Sequence, residues 1–181
     1  TEFKKGIEVK PSLPTNHLNL GTIFASQGRY QKAKETYEKA ETLYKNYKWG
    51  YEIPPELYLN KARIQLILKL YKEAEISITY YLKRSPGPGP GHFILAQIYS
   101  ALGKHTDALR EYEQSGNNPK VRAQAHNNRA LIFIQQYHFS RAFEELNQAL
   151  TIYPNLFDSH YNFGNLLIQT NGDTNRAQEH F

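Results

Sequence analysis

Residues 93–112 read FILAQIYSALGKHTDALREY, and residues 127–146 read NNRALIFIQQYHFSRAFEEL. The second stretch lies 34 residues after the first, and their key positions coincide: Ala96 with Ala130, Tyr99 with Phe133, Ala108 with Ala142, Tyr112 with Leu146. The pattern extends outward in both directions. Ala33, Ala74, Ala108, Ala142 and Ala177 each have a bulky residue four positions on: Tyr37, Ile78, Tyr112, Leu146 and Phe181. Twelve or thirteen residues before each stands another small residue: Gly21, Ala62, Ala96, Ala130 and Gly164. A fixed period of this length marks a chain built from one repeated supersecondary unit.

Positions are counted so that the first small residue is 8 and the recurring Ala is 20. Repeat 1 then runs 14–47, repeat 2 55–88, repeat 3 89–122 and repeat 4 123–156, and repeat 5 starts at 157 and is cut at 181. Residues 1–13 read as the end of a preceding repeat, with Phe3, Gly6 and Pro11 in register, and 48–54 as an insertion that includes Trp49. Positions 4, 7, 8 and 11 share one face of a helix, and 20, 24 and 27 share one face of a second. Small residues at 8 and 20 let two backbones approach, and the bulky residue at 24 fills the space beside them. One such pair cannot bury its apolar stripe alone, so neighbours must stack. Pro11, Pro86 and Pro154 at position 32 end the second helices. The register predicts helices over 16–28 and 31–46, 55–69 and 72–84, 91–102 and 106–116, 122–136 and 140–152, and 157–170 and 175–181. The second helix of repeat 1 is expected to run on until Gly50.

The pattern resembles the tetratricopeptide repeat (TPR): Leu20, Gly21, Phe24, Gly28, Ala33, Tyr37 and Ala40 in repeat 1, Leu95, Ala96, Tyr99, Gly103, Ala108 and Tyr112 in repeat 3, and Ala130, Phe133, Ala142, Leu146, Ala149 and Pro154 in repeat 4. The resemblance covers essentially the whole chain. It implies an all-α solenoid of stacked antiparallel helix pairs, wound as a right-handed superhelix, here a fragment of a longer array. Repeat 2 departs most, with Lys61 at position 7 and Gln65 at 11; repeat 4 has Arg129 at 7, whose stem can pack while its charge escapes. The run Pro86-Gly87-Pro88-Gly89-Pro90-Gly91 looks like a linker. Its spacing to His92 equals that from Pro154 to His160, so it is expected to replace an ordinary turn between repeats.

By the same resemblance, the first helices line a concave groove through positions 2, 5, 6, 9, 12 and 13. Position 6 carries Asn19, Asn60, Asn128 and Asn162, broken by Ile94; positions 5 and 9 add Leu18, Leu59, Phe93, Asn127, Tyr161, Thr22, Arg63, Gln97, Leu131 and Asn165. The groove's few charges are Glu56, Arg63 and Asp158. An Asn side chain offers two donors and an acceptor oxygen, so it can bond both groups of an extended peptide backbone. The recurrence is similar to the asparagine ladder of O-GlcNAc transferase TPR arrays, which holds substrate peptides that way. The peptide-binding candidates are therefore Asn19, Asn60, Asn128, Asn162, Arg63, Phe93, Asn127, Tyr161 and Asn165. The plainer reading is that exposed Asn solvates a helix face. Against it, Asn is a poor interior helix residue. The carboxylate clamp of chaperone-binding TPRs is rejected: of Leu18, Thr22, Asn60, Pro90 and Ile94 at its positions, only Asn60 fits.

His17, His92, His126 and His160 share position 4 and invite a metal reading. Equivalent residues of neighbouring repeats stand about 10 Å apart, far beyond a shared coordination shell with bonds of about 2 Å. They are expected to pack at the start of each first helix. The Gly-Pro run lacks the Lys-Ser/Thr of a phosphate-binding loop. No cofactor, metal site or catalytic constellation is read in this chain, although a longer protein containing it can be an enzyme.

Composition narrows the partners. With no Cys there is no disulfide or thiolate, which leaves the compartment open, and no Met stands even at position 1. With both ends cut through repeats, the chain reads as a piece of a longer protein, whose open ends can self-associate. Net charge is +5, and residues 1–122 hold 19 Lys+Arg against 12 Asp+Glu. These charges interleave, as in Lys32, Lys34, Glu35, Glu38, Lys39 and Glu41, which argues for a solvated helix surface and against nucleic acid. No apolar run approaches membrane-span length. The expected partner is a protein or peptide. The chain is either a non-catalytic binding module, the substrate-recruiting arm of a larger enzyme such as a glycosyltransferase, or a scaffold that uses its outer faces.

Overall fold

The computed structural model describes residues 13–46 and 52–171. Among the described residues there are nine α-helices and no strand. They are α1 (Pro14–Ser26), α2 (Tyr30–Asn46), α3 (Pro55–Ile67), α4 (Tyr71–Leu82), α5 (Gly89–Ala101), α6 (His105–Glu113), α7 (Pro119–Gln135), α8 (Phe139–Ile152) and α9 (Phe157–Asn171). Each helix predicted over these residues is present, with ends displaced by at most three residues. The predicted helix 175–181, the stretch toward Gly50 and residues 1–12 lie outside the described residues.

Both kinds of helix end follow from local chemistry. Pro14, Pro55 and Pro119 open α1, α3 and α7, where a missing N–H leaves nothing unsatisfied. Asn118 caps α7 by accepting from the Val121 N–H at 3.2 Å. The turn inside each of the first four pairs is one repeated device. Gly28, Lys69, Gly103 and Tyr137, all at position 15, take left-handed backbone with φ of 71°, 59°, 72° and 59°. In each turn the next residue's N–H reaches back five residues: Arg29 to Phe24 O, Leu70 to Gln65 O, Lys104 to Tyr99 O and His138 to Phe133 O, at 2.8–2.9 Å. This closure satisfies carbonyls that a helix end leaves orphaned. Lys69 and Tyr137 adopt it without glycine's freedom.

The chain divides into two compact units, Thr1–Pro86 and Gly87–Phe181, and the division falls in the Gly-Pro run. In the first, α1 pairs with α2 and α3 with α4; α2 contacts α3, and α1 contacts α3. Its core joins Ala33, Tyr37, Ala40 and Tyr44 of α2 to Leu57 and Ile64 of α3. Gly21 lets α1 close on this core: a Cβ there would stand 2.5 Å from the Tyr37 ring. In the second, α5 pairs with α6 and α7 with α8; α6 contacts α7, α8 contacts α9, and the first helices α5, α7 and α9 touch in succession. One cluster joins Ala96, Ala108, Tyr112, Ala125 and Ile132, and another joins Ala130, Phe133, Ala142, Leu146, Phe163, Leu166 and Leu167. Burying each large apolar side chain contributes about 1.5–3 kcal/mol. Gly89 opens α5 tightly against the Ser115–Gly116 backbone, where a Cβ would meet Ser115 O at 3.0 Å.

The odd residues of repeats 2 and 4 find partners across helix seams. Lys61 pairs with Glu41 of α2, which also holds Lys45 at 2.7 Å. Buried Gln65 and Ser77 lie 2.7 Å apart. Arg129 does not send its charge to solvent: its guanidinium lies 2.9 Å from Glu145 of α8 and 3.7 Å from Glu113 of α6. Among the described residues no helix is long and apolar enough to cross a membrane.

Candidate functional site

The first helices carry the candidates, and the two units treat them differently. In the first unit, Asn19 of α1 and Asn60 of α3 are half-buried, and neither amide hydrogen-bonds any described residue. Both keep two donors and an acceptor for something else. Arg63 is exposed beside them in register, as are Thr22 and Ile67. Behind them the Tyr37 hydroxyl donates to Thr22 Oγ1 at 3.2 Å. Burial pushes the Tyr37 phenol up, against that bond and the Arg63 charge.

In the second unit the asparagines are drawn into a relay. Asn127 is buried at 5% exposure. Its Oδ1 accepts from Asn162 Nδ2 at 2.9 Å and from Ser159 Oγ at 3.2 Å, both on α9. Its Nδ2 donates to Asn128 Oδ1 at 3.4 Å. The Asn128 amide bonds the Tyr112 hydroxyl, and burial pushes that phenol well up despite the bond. The relay thus joins α6, α7 and α9. It fills the acceptor of Asn127, whereas among the described residues Asn162 keeps its oxygen and one N–H.

The remaining candidates divide as well. Phe93 is half-buried and meets Tyr112 edge-on, with centroids 5.8 Å apart, so it packs at the margin of the core. Tyr161 is 50% exposed and stacks on Phe157, itself 73% exposed, with the rings 14° from parallel. Asn165 is exposed, as are Leu131 and Ile168. Among the charges, Glu56 and Asp158 are exposed like Arg63.

Each position-4 histidine has its own partner. His17 is buried against the Leu13 carbonyl, and burial holds it below its ordinary value of 6.5. His92 meets Glu111 at 2.7 Å and His126 meets Glu145 at 2.8 Å, each bond tying first helix to second. His160 Nε2 lies 2.8 Å from Pro154 O. Sequence reasoning missed the two glutamates. The available signal was His–Glu at one spacing, nineteen residues, in two successive repeats.

Comparison with known proteins agrees with this architecture. Human Protein O-mannosyl-transferase TMTC1 is 24% identical over 151 residues, which cover 81% of this chain and 16% of that protein. The chain thus spans about a sixth of that relative's length. Among solved structures, TTC0263, a thermophilic TPR protein of Thermus thermophilus, is 24% identical with a TM-score of 0.71, covering 92% of this chain and 87% of that one. The apo quorum sensor NprR of B. thuringiensis has a TM-score of 0.81 at 17% identity, covering 92% of this chain and 51% of that one. YrrB, a TPR protein with an unusual peptide-binding site, has a TM-score of 0.66 at 18% identity, covering 99% and 89%. Family models described as tetratricopeptide repeat match residues 14–47 and 93–156. With all-helical pairs, small residues at the close contacts and one turn repeated four times, the chain belongs to the tetratricopeptide repeat family, whose modules mediate protein interaction.

Proposed function

We propose that the first helices of each unit bind an extended, largely uncharged peptide, held through its backbone by side-chain amides. The observation that carries this reading is the pair Asn19 and Asn60, half-buried at one register and unengaged by any described residue. An amide held at a helix surface with both functions open suits a peptide C=O and N–H. In the second unit Asn162 and Asn165 take that role beside exposed Tyr161, Leu131 and Ile168, which suit apolar side chains of the ligand. Asn127 and Asn128 orient Asn162 from behind. Phe93 supports the wall and makes no ligand contact. The peptide-binding site of YrrB, a protein of similar fold, makes a peptide ligand reasonable.

The test is a titration of peptides selected from a library against the chain at low and high salt. Few charges line these faces, so affinity should fall little with salt. Replacing Asn19 and Asn60 together by Ala should weaken binding; unchanged affinity would remove the amide reading.

A second reading is favoured by the match to an O-mannosyl-transferase: the array recruits protein substrates to a catalytic region elsewhere in a longer chain. Deleting the array from such a protein should then impair transfer to protein acceptors and spare transfer to small ones. Equal losses on both would contradict recruitment.

A further inference from the structure

The outward face of α4 departs from the other described second helices. Positions 22 and 26 lie opposite the buried 20, 24 and 27. They carry Glu35 and Lys39 in repeat 1, Arg110 and Gln114 in repeat 3, and Glu144 and Gln148 in repeat 4, all polar. Repeat 2 places Ile76 and Tyr80 there, 60% and 44% exposed. An isolated exposed Ile is unremarkable; two apolar residues one helical turn apart, where the same register is otherwise polar, form a ridge suited to another helix. The ridge borders an open cleft of about 460 Å³ lined by Lys72, Glu75, Ile76, Thr79, Tyr80 and Lys83. Tyr80 is held in place rather than loose: it stacks on Tyr58 with centroids 5.0 Å apart, and Arg84 lies 5.4 Å over its ring.

Cations outnumber acids along this ridge, where Glu75 stands between two lysines. Lys72 and Lys83 stand at its two ends and pair with no acid among the described residues. Glu75 has a partner of its own, and two other nearby acids are taken: Glu73 lies 3.9 Å from Lys34, and Glu41 is held between Lys45 and Lys61. Two copies of this face would set lysines against lysines, which argues against self-pairing.

We propose that the α4 face is a second docking surface, separate from the first-helix faces, and that it takes an acidic amphipathic helix of a protein partner. Apolar residues of that helix, spaced one turn apart, cover Ile76 and the exposed edge of Tyr80, and its flanking carboxylates meet Lys72 and Lys83. Such a helix reads the surface through helical spacing. Steering by the lysines makes association salt-dependent.

The experiment displays a randomised library of helical peptides on phage and selects it on the whole chain. Binders should carry an apolar pair at helical spacing flanked by Asp or Glu. Ile76→Glu installs the residue that repeats 1 and 4 already tolerate at this register, so circular dichroism should be unchanged. Affinity for the selected peptides should nevertheless drop at least about tenfold. Lys72→Gln with Lys83→Gln should weaken binding and remove its salt dependence, and Glu35→Ala, at the same register in repeat 1, should change nothing. The proposal is overturned if the binders are basic or uncharged, or if Ile76→Glu leaves their affinity intact. It is equally overturned if no peptide binds while Ile76→Glu abolishes either self-association or binding to phosphatidylserine vesicles.

Discussion

The same residue at the same register does different work in the two units. Among the described residues Asn19 and Asn60 present open amides, whereas Asn128 and Asn162 are drawn into a relay around Asn127. The difference lies in the neighbours. Tyr112 offers a hydroxyl to Asn128, and Ser159 and Asn162 converge on Asn127 from α9. In the first unit Tyr37, the counterpart of Tyr112, spends its hydroxyl on Thr22, and position 5 is Leu18 or Leu59. A recurring amide therefore marks a position that can bond, and the surrounding helices decide whether the bond serves fold or ligand.

The sharpest break of this comparison is Asn127→Ala. It strands fully buried Ser159 and removes the partner of Asn162, so the second unit should lose about 1–3 kcal/mol. A urea titration measures this, and a loss no larger than that of Asn60→Ala would mean the relay contributes nothing.

The turns give a smaller contrast that crosses both units. Lys69→Gly and Tyr137→Gly place glycine where φ is already 59°. Each should gain up to about 1 kcal/mol, and Gly103→Ala should lose a similar amount. Melting curves of the three variants test the shared geometry, and a loss in either Gly variant would contradict it.

Acid should separate the units through His17. Its folded pKa lies below the ordinary 6.5, so its contribution is full above that value and is lost as pH falls through the folded one. Glu41 acts with the same sign at lower pH. Burial raises its carboxyl, but hydrogen bonds and charge from Lys45 and Lys61 outweigh this and hold it below 4.5. Stability of the first unit should therefore decline from about pH 7 toward pH 5, and His17→Phe should flatten that decline. An unchanged slope in the variant would assign the decline to other groups.

The helices were legible because the period and the small residues at 8 and 20 follow from helical geometry alone. Two of the four left-handed turns were legible as Gly28 and Gly103; Lys69 and Tyr137 carry no such mark. The site was less so. Asn127 shares its register with Leu18 and Tyr161, and its partners Ser159 and Asn162 lie on the next repeat. Lys61 reads as a departure from the repeat and Arg129 as a charge that escapes to solvent, because their acids, Glu41 and Glu145, sit on other helices. Partners across a seam depend on packing, which spacing along one helix does not report.

Asn60→Ala should change stability least, by under about 0.5 kcal/mol, since Ala is the better helix former and no described residue loses a bond. That makes the first unit the clean place to test amide recognition. The decisive measurement is the affinity of library-selected peptides for the Asn19→Ala, Asn60→Ala double variant, with its melting curve alongside. Each lost neutral hydrogen bond removes roughly 0.5–1.5 kcal/mol, so several together should weaken binding about tenfold or more while the melt stays unchanged. Unchanged affinity with an intact fold would contradict the claim that these open amides hold a peptide.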